Sequence, residues 1–170
     1  GCPDSNPCTQ YFRSATEIDG SDGAQFLVDP GNRLSLYMCS TCAYSSASDP
    51  DIFVSSTSTI FNLFISHGGS TQVLYSGSLK GTYQNVPSLS SGQLTSAGGV
   101  PSGYYDSSSG KYWIYVHSGS PAGIKRAVVN DLNTLIPESQ FSTTISSSSA
   151  IYSLGNPATI ESPGFAVNSP

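Results

Sequence analysis

His67 and His117 are the only imidazoles among the 170 residues. A Ser-His-Asp nucleophilic site would therefore need one of them. The sequence does not supply the rest of that arrangement. No Gly-x-Ser-x-Gly elbow occurs, because in Gly77-Ser-Leu-Lys-Gly81 the serine holds the second position rather than the third. His67-Gly-Gly-Ser70 has some likeness to an oxyanion loop, yet it follows a strand pattern and reads as a hairpin turn. Only three Glu are present and none lies among aromatic residues, which argues against a pair of acid-base carboxylates for glycoside cleavage. The expectation is a protein with no catalytic set.

Aspartates carry a second kind of chemistry. Asp19 and Asp22 lie in the Glu17–Gly23 stretch, and Asp49 and Asp51 flank Pro50 in a turn that opens a strand. Oxygen ligands on turns suit calcium, which takes roughly six to eight of them, so these four are the candidate metal ligands. The competing role is local, since Asp starts turns by accepting backbone hydrogen bonds. Apart from calcium, no cofactor is expected. Trp113, Tyr115, Tyr104 and Tyr105 form the third candidate group, a platform on which sugar rings could stack. Their alternative is packing within the second face of a sandwich or against another subunit.

Cys2, Cys8, Cys39 and Cys42 are an even set within the first quarter of the chain. Two disulfides suit them. Of three possible pairings, the favoured one joins Cys2 and Cys8 each to one of Cys39 and Cys42, because a bridge between Cys39 and Cys42 closes a loop too short to constrain much of the unfolded chain. A four-thiolate zinc site and a redox-active Cys-x-x-Cys are the alternatives.

The elements that must position these residues are strands. Leu34, Leu36 and Met38 alternate, as do Tyr112, Ile114 and Val116, while Phe61 to Ile65 is apolar on both faces and reads as a central strand. Asp51 to Ser55 reads as a short buried strand. Ser76 to Ser109, rich in Ser, Gly and Pro, reads mainly as surface loops with one or two weak strands. Ile124, Ala127, Val128, Leu132 and Leu135 fit a short helix near residues 121–135, while Ile124 to Val129 fits a strand equally. The expected organisation is a disulfide-tied β-sandwich over residues 1–137 and a Ser/Thr/Pro-rich arm over 138–170. That arm has strand-like pieces with few partners left in its own domain, so it suits donation to a neighbour's sheet edge.

Composition narrows the function classes. Ser 34 and Thr 12 make up about 27% of the chain, charged residues only 10%, and six Lys+Arg stand against eleven Asp+Glu for a net charge of −5. Such a chain lacks the cations to neutralise a row of phosphates, so nucleic acid is not an expected partner. An apolar fraction of 37% argues against charge-driven disorder. No stretch is long and apolar enough to span a membrane. No Asn-x-Ser/Thr sequon occurs, but Thr143, Thr144, Ser146 and Ser147 are candidate O-glycan sites.

The run Gln25 to Met38, followed by Asp49-Pro-Asp-Ile-Phe-Val-Ser55, resembles the first half of the bacterial pre-peptidase C-terminal domain. Gly110-Lys-Tyr-Trp-Ile-Tyr-Val-His-Ser-Gly119 resembles a strand near that family's end. The resemblance covers about residues 19–130; the cysteines and the C-terminal arm lie outside it. It implies an all-β sandwich of jelly-roll type attached to secreted enzymes or surface proteins, used for binding or spacing, sometimes with calcium. The combined expectation is an extracellular structural or adhesive subunit of a filament, sheath or layer, with copies of itself as partners. The alternative is a secreted carbohydrate-binding module built around Trp113, and less favoured still is an accessory domain of a secreted hydrolase.

Overall fold

Two stretches apolar on both faces, either side of a glycine pair, organise the molecule. In the computed structural model, which describes residues 8–38, 47–119 and 122–146, strands dominate. They run in chain order as β1 (Cys8–Phe12), β2 (Ala15–Glu17), β3 (Phe26–Val28), β4 (Leu34–Met38), β5 (Ser48–Val54), β6 (Phe61–His67) and β7 (Ser70–Ser76). Then come β8 (Gln84–Asn85), β9 (Gln93–Thr95), β10 (Gly99–Asp106), β11 (Lys111–Gly119), β12 (Ala122–Val129) and β13 (Ser142–Ser146). Two short 3-10 turns, Ser90–Gly92 and Glu138–Gln140, are the only helical pieces among the described residues. None of them is long or apolar enough to cross a membrane.

The strands β6 and β7 pair from Phe61↔Ser76 to His67↔Ser70 around Gly68 and Gly69, whose φ values of +55° and +83° give the turn a twist that matches the flanking strands. Around them the order β5-β6-β7-β8 forms one sheet, with β9 also on β7, and β10-β11-β12-β13 forms the other. Phe64 and Val73 point into the space between the sheets, where they meet Ile114, Val116 and Ala127. Leu63, Ile65 and Leu74 point the opposite way and are covered by Leu34 and Leu36 of the β1–β4 pair. The β6–β7 sheet is thus buried on both faces. Each such fully buried aliphatic or aromatic side chain contributes roughly 1.5–3 kcal/mol relative to exposure.

The all-β sandwich agrees with the sequence. Its strand order is a pair of meanders, where a jelly roll would interleave strands between the sheets. One open alternative is decided and two segment readings change. Residues 121–135 hold no helix among those described: β12 pairs with β11 over eight residues, favoured by the β-branched Val128 and Val129. Of the apolar residues at helix-like spacing, Ile124 and Ala127 are buried on β12 and Leu132 in the loop that follows, while Val128 and Leu135 are exposed. Ser76 to Ser109 contains β8, β9 and β10 and the fully buried Leu94. Asp51 to Ser55 lies largely in an edge strand whose Ile52 and Val54 are exposed.

The first part of the segment read as an arm belongs to the body. β13 pairs with β12 from Gly123↔Ser146 to Arg126↔Ser142, and Lys125 Nζ meets Glu138 Oε1 at 2.8 Å. Residues 147–170 lie outside the described residues.

Close packing between the sheets leaves no room at Gly103, where a Cβ would stand 2.7 Å from the Phe64 ring and 3.3 Å from that of Phe53. Gly103→Ala should lower unfolding free energy by about 1–3 kcal/mol. Gly119→Ala, with nothing within 4 Å of the added atom, should leave it unchanged or raise it by up to about 1 kcal/mol. Denaturant titration of the two variants checks the contrast.

Candidate functional site

The aromatic group divides between the two faces of its sheet. Because β11 alternates, Tyr112, Ile114 and Val116 face the core while Trp113, Tyr115 and His117 face outward. Tyr104 lies opposite Trp113 in register and stacks with it, ring centroids 6.1 Å apart and planes 11° off parallel. The Arg126 guanidinium sits 4.9 Å from the Trp113 ring centre, a cation–π arrangement. Tyr105 goes the other way, onto Tyr112 at 5.0 Å and into the core layer. Tyr115 is only 8% exposed. Of the four residues expected to form a sugar platform, Tyr104 and Trp113 are brought together half-buried on the outer face, packed beside Tyr115 and Ile124, while Tyr115 is buried and Tyr105 turns to the core. Burial, with Tyr115 and Asp106 nearby, raises the Tyr104 pKa.

The four candidate calcium ligands are not brought together. Among the described residues no group of three or more His, Cys, Asp or Glu could hold a metal. Asp51 Oδ2 accepts the Gly103 N–H at 2.8 Å, tying β5 to β10. Asp49, at φ +53°, accepts from Ser48 Oγ at 2.6 Å. Asp19 and Asp22 lie exposed in the β2–β3 turn, where Asp22 takes φ +50°. Their roles are those of turn residues.

His67 ends β6, its pKa lowered by burial, and His117 lies opposite Ile124 on the outer face of β11. Thr143 and Thr144 are exposed on β13 and Ser146 is half-buried, while Ser147 lies outside the described residues. Cys8 starts β1, packs beside the Leu34–Leu36 cluster and is disulfide-bonded. Its register partner Met38 directly precedes Cys39 in the chain; Cys2, Cys39 and Cys42 lie outside the described residues.

Two features have no counterpart in the sequence reading. One is the β2–β3 hairpin. Phe26, Leu27 and Val28 are 59%, 69% and 57% exposed, and Ile18 beside them 45%. This strand pair thus faces no core of its own among the described residues. Its base is fixed to the body: Asp29 accepts from Ser14 Oγ at 2.7 Å, Thr16 Oγ1 at 2.8 Å and Lys80 Nζ at 2.7 Å. Lys80 also donates to Thr16 Oγ1. These contacts, Lys80 first, hold the Asp29 pKa down at about 2.

The other feature is a cleft of about 320 Å³ at one end of the sandwich. Its walls come from Ser55 and Ser56 after β5, Asn62 of β6, Tyr75 of β7, Val86 and Pro87 after β8, and the loop Asn130–Asn133 after β12. Tyr112 closes it from below, its hydroxyl 2.7 Å from Ser55 Oγ and accepting the Ser56 N–H at 3.2 Å. Asn62 is 5% exposed, and its Nδ2 is buried with no hydrogen-bond partner. An Asn interrupting the apolar run Phe61 to Ile65 was the one signal in the sequence. Comparison with known protein families, with curated proteins and with solved structures finds no match to this chain.

The Asp29 contacts make the hairpin's attachment depend on acid. A carboxylate with its pKa lowered from 3.8 to about 2 stabilises the folded contact above pH of about 4 and loses that contribution as pH falls toward 2. The protection factors of the Thr16 and Leu27 backbone amides, exchange rates corrected for the intrinsic pH dependence, should therefore fall across this window, and Asp29→Asn should already show lower protection at neutral pH with a flatter acid response.

Proposed function

We propose that this chain is an extracellular structural or adhesive subunit that assembles with copies of itself, in a filament, sheath or layer, through its β2–β3 hairpin. One observation carries the reading: three consecutive apolar side chains stand exposed on a strand whose base is tied down by a four-member polar network. Phe26 and Val28 share one face of the hairpin and Leu27 takes the other, so both faces carry exposed apolar surface, which marks a contact site. A tethered hairpin presents that surface with less ordering cost than a free loop.

A second copy is the occupant that this chain's own surface favours. Ile52 and Val54 of β5 lie on the same face as Leu63 in the β5–β6 register, beyond the cover given by Leu34 and Leu36, and remain 39% and 45% exposed. They offer an apolar strip that the hairpin of the same chain leaves uncovered. Hairpin of one copy against strip of the next is a head-to-tail contact, which builds rings or open filaments according to its rotation. With charged residues at only 10% of the chain, little repulsion opposes close approach. The disulfide at Cys8 and the hydroxyl-rich surface support an oxidising, extracellular setting. The role is non-catalytic.

Sedimentation velocity over a concentration series tests the reading. The native chain should associate, while Leu27→Ser in β3 and Val54→Ser in β5 should each shift it to monomer with an unchanged circular dichroism spectrum. A native chain that stays monomeric at every concentration, or variants that assemble as well as it does, would overturn the proposal.

A further inference from the structure

We infer that the cleft between the ends of the two sheets is a binding site for one neutral sugar ring. This inference is independent of the assembly reading, because the cleft shares no residue with the hairpin or the β5 strip. Five buried side-chain atoms without hydrogen-bond partners are found among the described residues, on Arg33, Asn62, Gln72 and Trp113. Of these residues only Asn62 lines the cleft. A buried amide donor left unmatched is costly, and such a group calls for a partner.

The chemistry of the walls selects the ligand. Side-chain amides of Asn62, Asn130 and Asn133 supply donors and acceptors, Asp131 supplies a carboxylate, and Tyr75 and Leu132 supply apolar contact. No Lys, Arg or His lines the cleft, so phosphate, sulfate and carboxylate ligands find no counter-charge beside Asp131. A ligand with several hydroxyls and an apolar ring face meets both halves of this lining. At about 320 Å³ the space lies at the lower end of the roughly 300–1,000 Å³ found for small-molecule sites, which suits one pyranose and not a chain.

The site is built before any ligand arrives. Asp131 Oδ1 accepts the Asn133 N–H at 2.8 Å, Ser88 Oγ donates to Asn133 O at 2.5 Å, and Ile136 N–H donates to Leu94 O at 2.8 Å. Leu132 and Ile136, 6% and 3% exposed, anchor the loop in the core. The Tyr112 hydroxyl is already engaged by Ser55 and Ser56, so it shapes the floor. Asn62 Nδ2 is the buried donor of the lining that still lacks a partner.

Side-chain amide NMR of the full chain tests the site, with methyl glycosides of glucose, galactose and mannose as probes and inorganic phosphate and acetate as anionic controls. At least one glycoside should shift the Asn62 and Asn130 side-chain amides saturably, and the anions should not. Asn62→Ala should weaken that binding about tenfold or more, the loss expected for one buried hydrogen bond. Asp131→Asn, at an exposed position, should weaken it while leaving the fold intact even if Asn62→Ala does not fold. No saturable shift with any glycoside, with only water satisfying Asn62, would overturn the inference. Equal binding by anions, or undiminished binding in Asp131→Asn, would overturn it as well. The cleft residues lie outside the hairpin and the β5 strip, so a failure here leaves the assembly result untouched.

Discussion

The burial of the β6–β7 pair on both faces is the constraint from which most of the structure follows. Leu63, Phe64, Ile65, Val73 and Leu74 are each at most 1% exposed, and they point alternately into two different cores. A strand pair that is apolar on both sides gains little register information from burial, since a one-residue slip exchanges one apolar face for another. The register is instead set by the Gly68-Gly69 turn and by polar residues that tolerate only one environment. Thr71, fully buried, donates to Gly98 O at 2.9 Å. Asn62 and Tyr75 lie opposite each other at the far end of the same pair, which is what brings both to the mouth of the cleft.

The two cores are unequal, and the surface reflects it. On the inner side a full four-stranded sheet covers β6 and β7 and brings in Leu132 and Ile136 from the loop after β12. On the outer side, among the described residues, the short β1–β4 pair with Ala47 and Tyr83 forms the cover, Leu34 and Leu36 clustering with Leu63, Ile65 and Leu74. Among the described residues that cover does not extend over Ile52 and Val54 of β5. The chain between β1 and β4 goes into the β2–β3 hairpin, which buries none of its own apolar side chains. The same shortage of covering strands thus leaves an apolar strip on the body and an apolar hairpin beside it, the two surfaces on which the assembly reading rests.

Hydroxyl-rich composition acquires a structural meaning in this setting. Few charges are needed where Ser and Thr face solvent along strands, as Ser142, Thr143 and Thr144 do on β13. Elsewhere the same residue types do internal work. Ser14 and Thr16 hold Asp29, Ser55 and Ser56 hold the Tyr112 hydroxyl, and Ser108 and Ser109 bind both oxygens of Asp106 and lower its pKa.

Strand identity and face were legible in the sequence wherever a strand had one buried face. Leu34 and Leu36, and Tyr112, Ile114 and Val116, are buried as their alternation requires, and the two-sided apolarity of Phe61 to Ile65 marks a central strand. Hairpin chemistry was equally local, since two consecutive glycines permit the positive φ that a tight turn needs. The segment from Ile124 to Leu135 was ambiguous because its apolar spacing is satisfied both by a helix and by a strand with buried loop anchors. That choice fell to β11 and β13, whose edges supply hydrogen-bond partners that no local pattern encodes. The cleft was out of reach for the same reason. Its walls come from residues 55 to 133, and the significance of Asn62 appears only when the sheets place it at their open end without a partner. Residue type and alternation determine which side chains a strand can offer, while long-range pairing determines what each one meets.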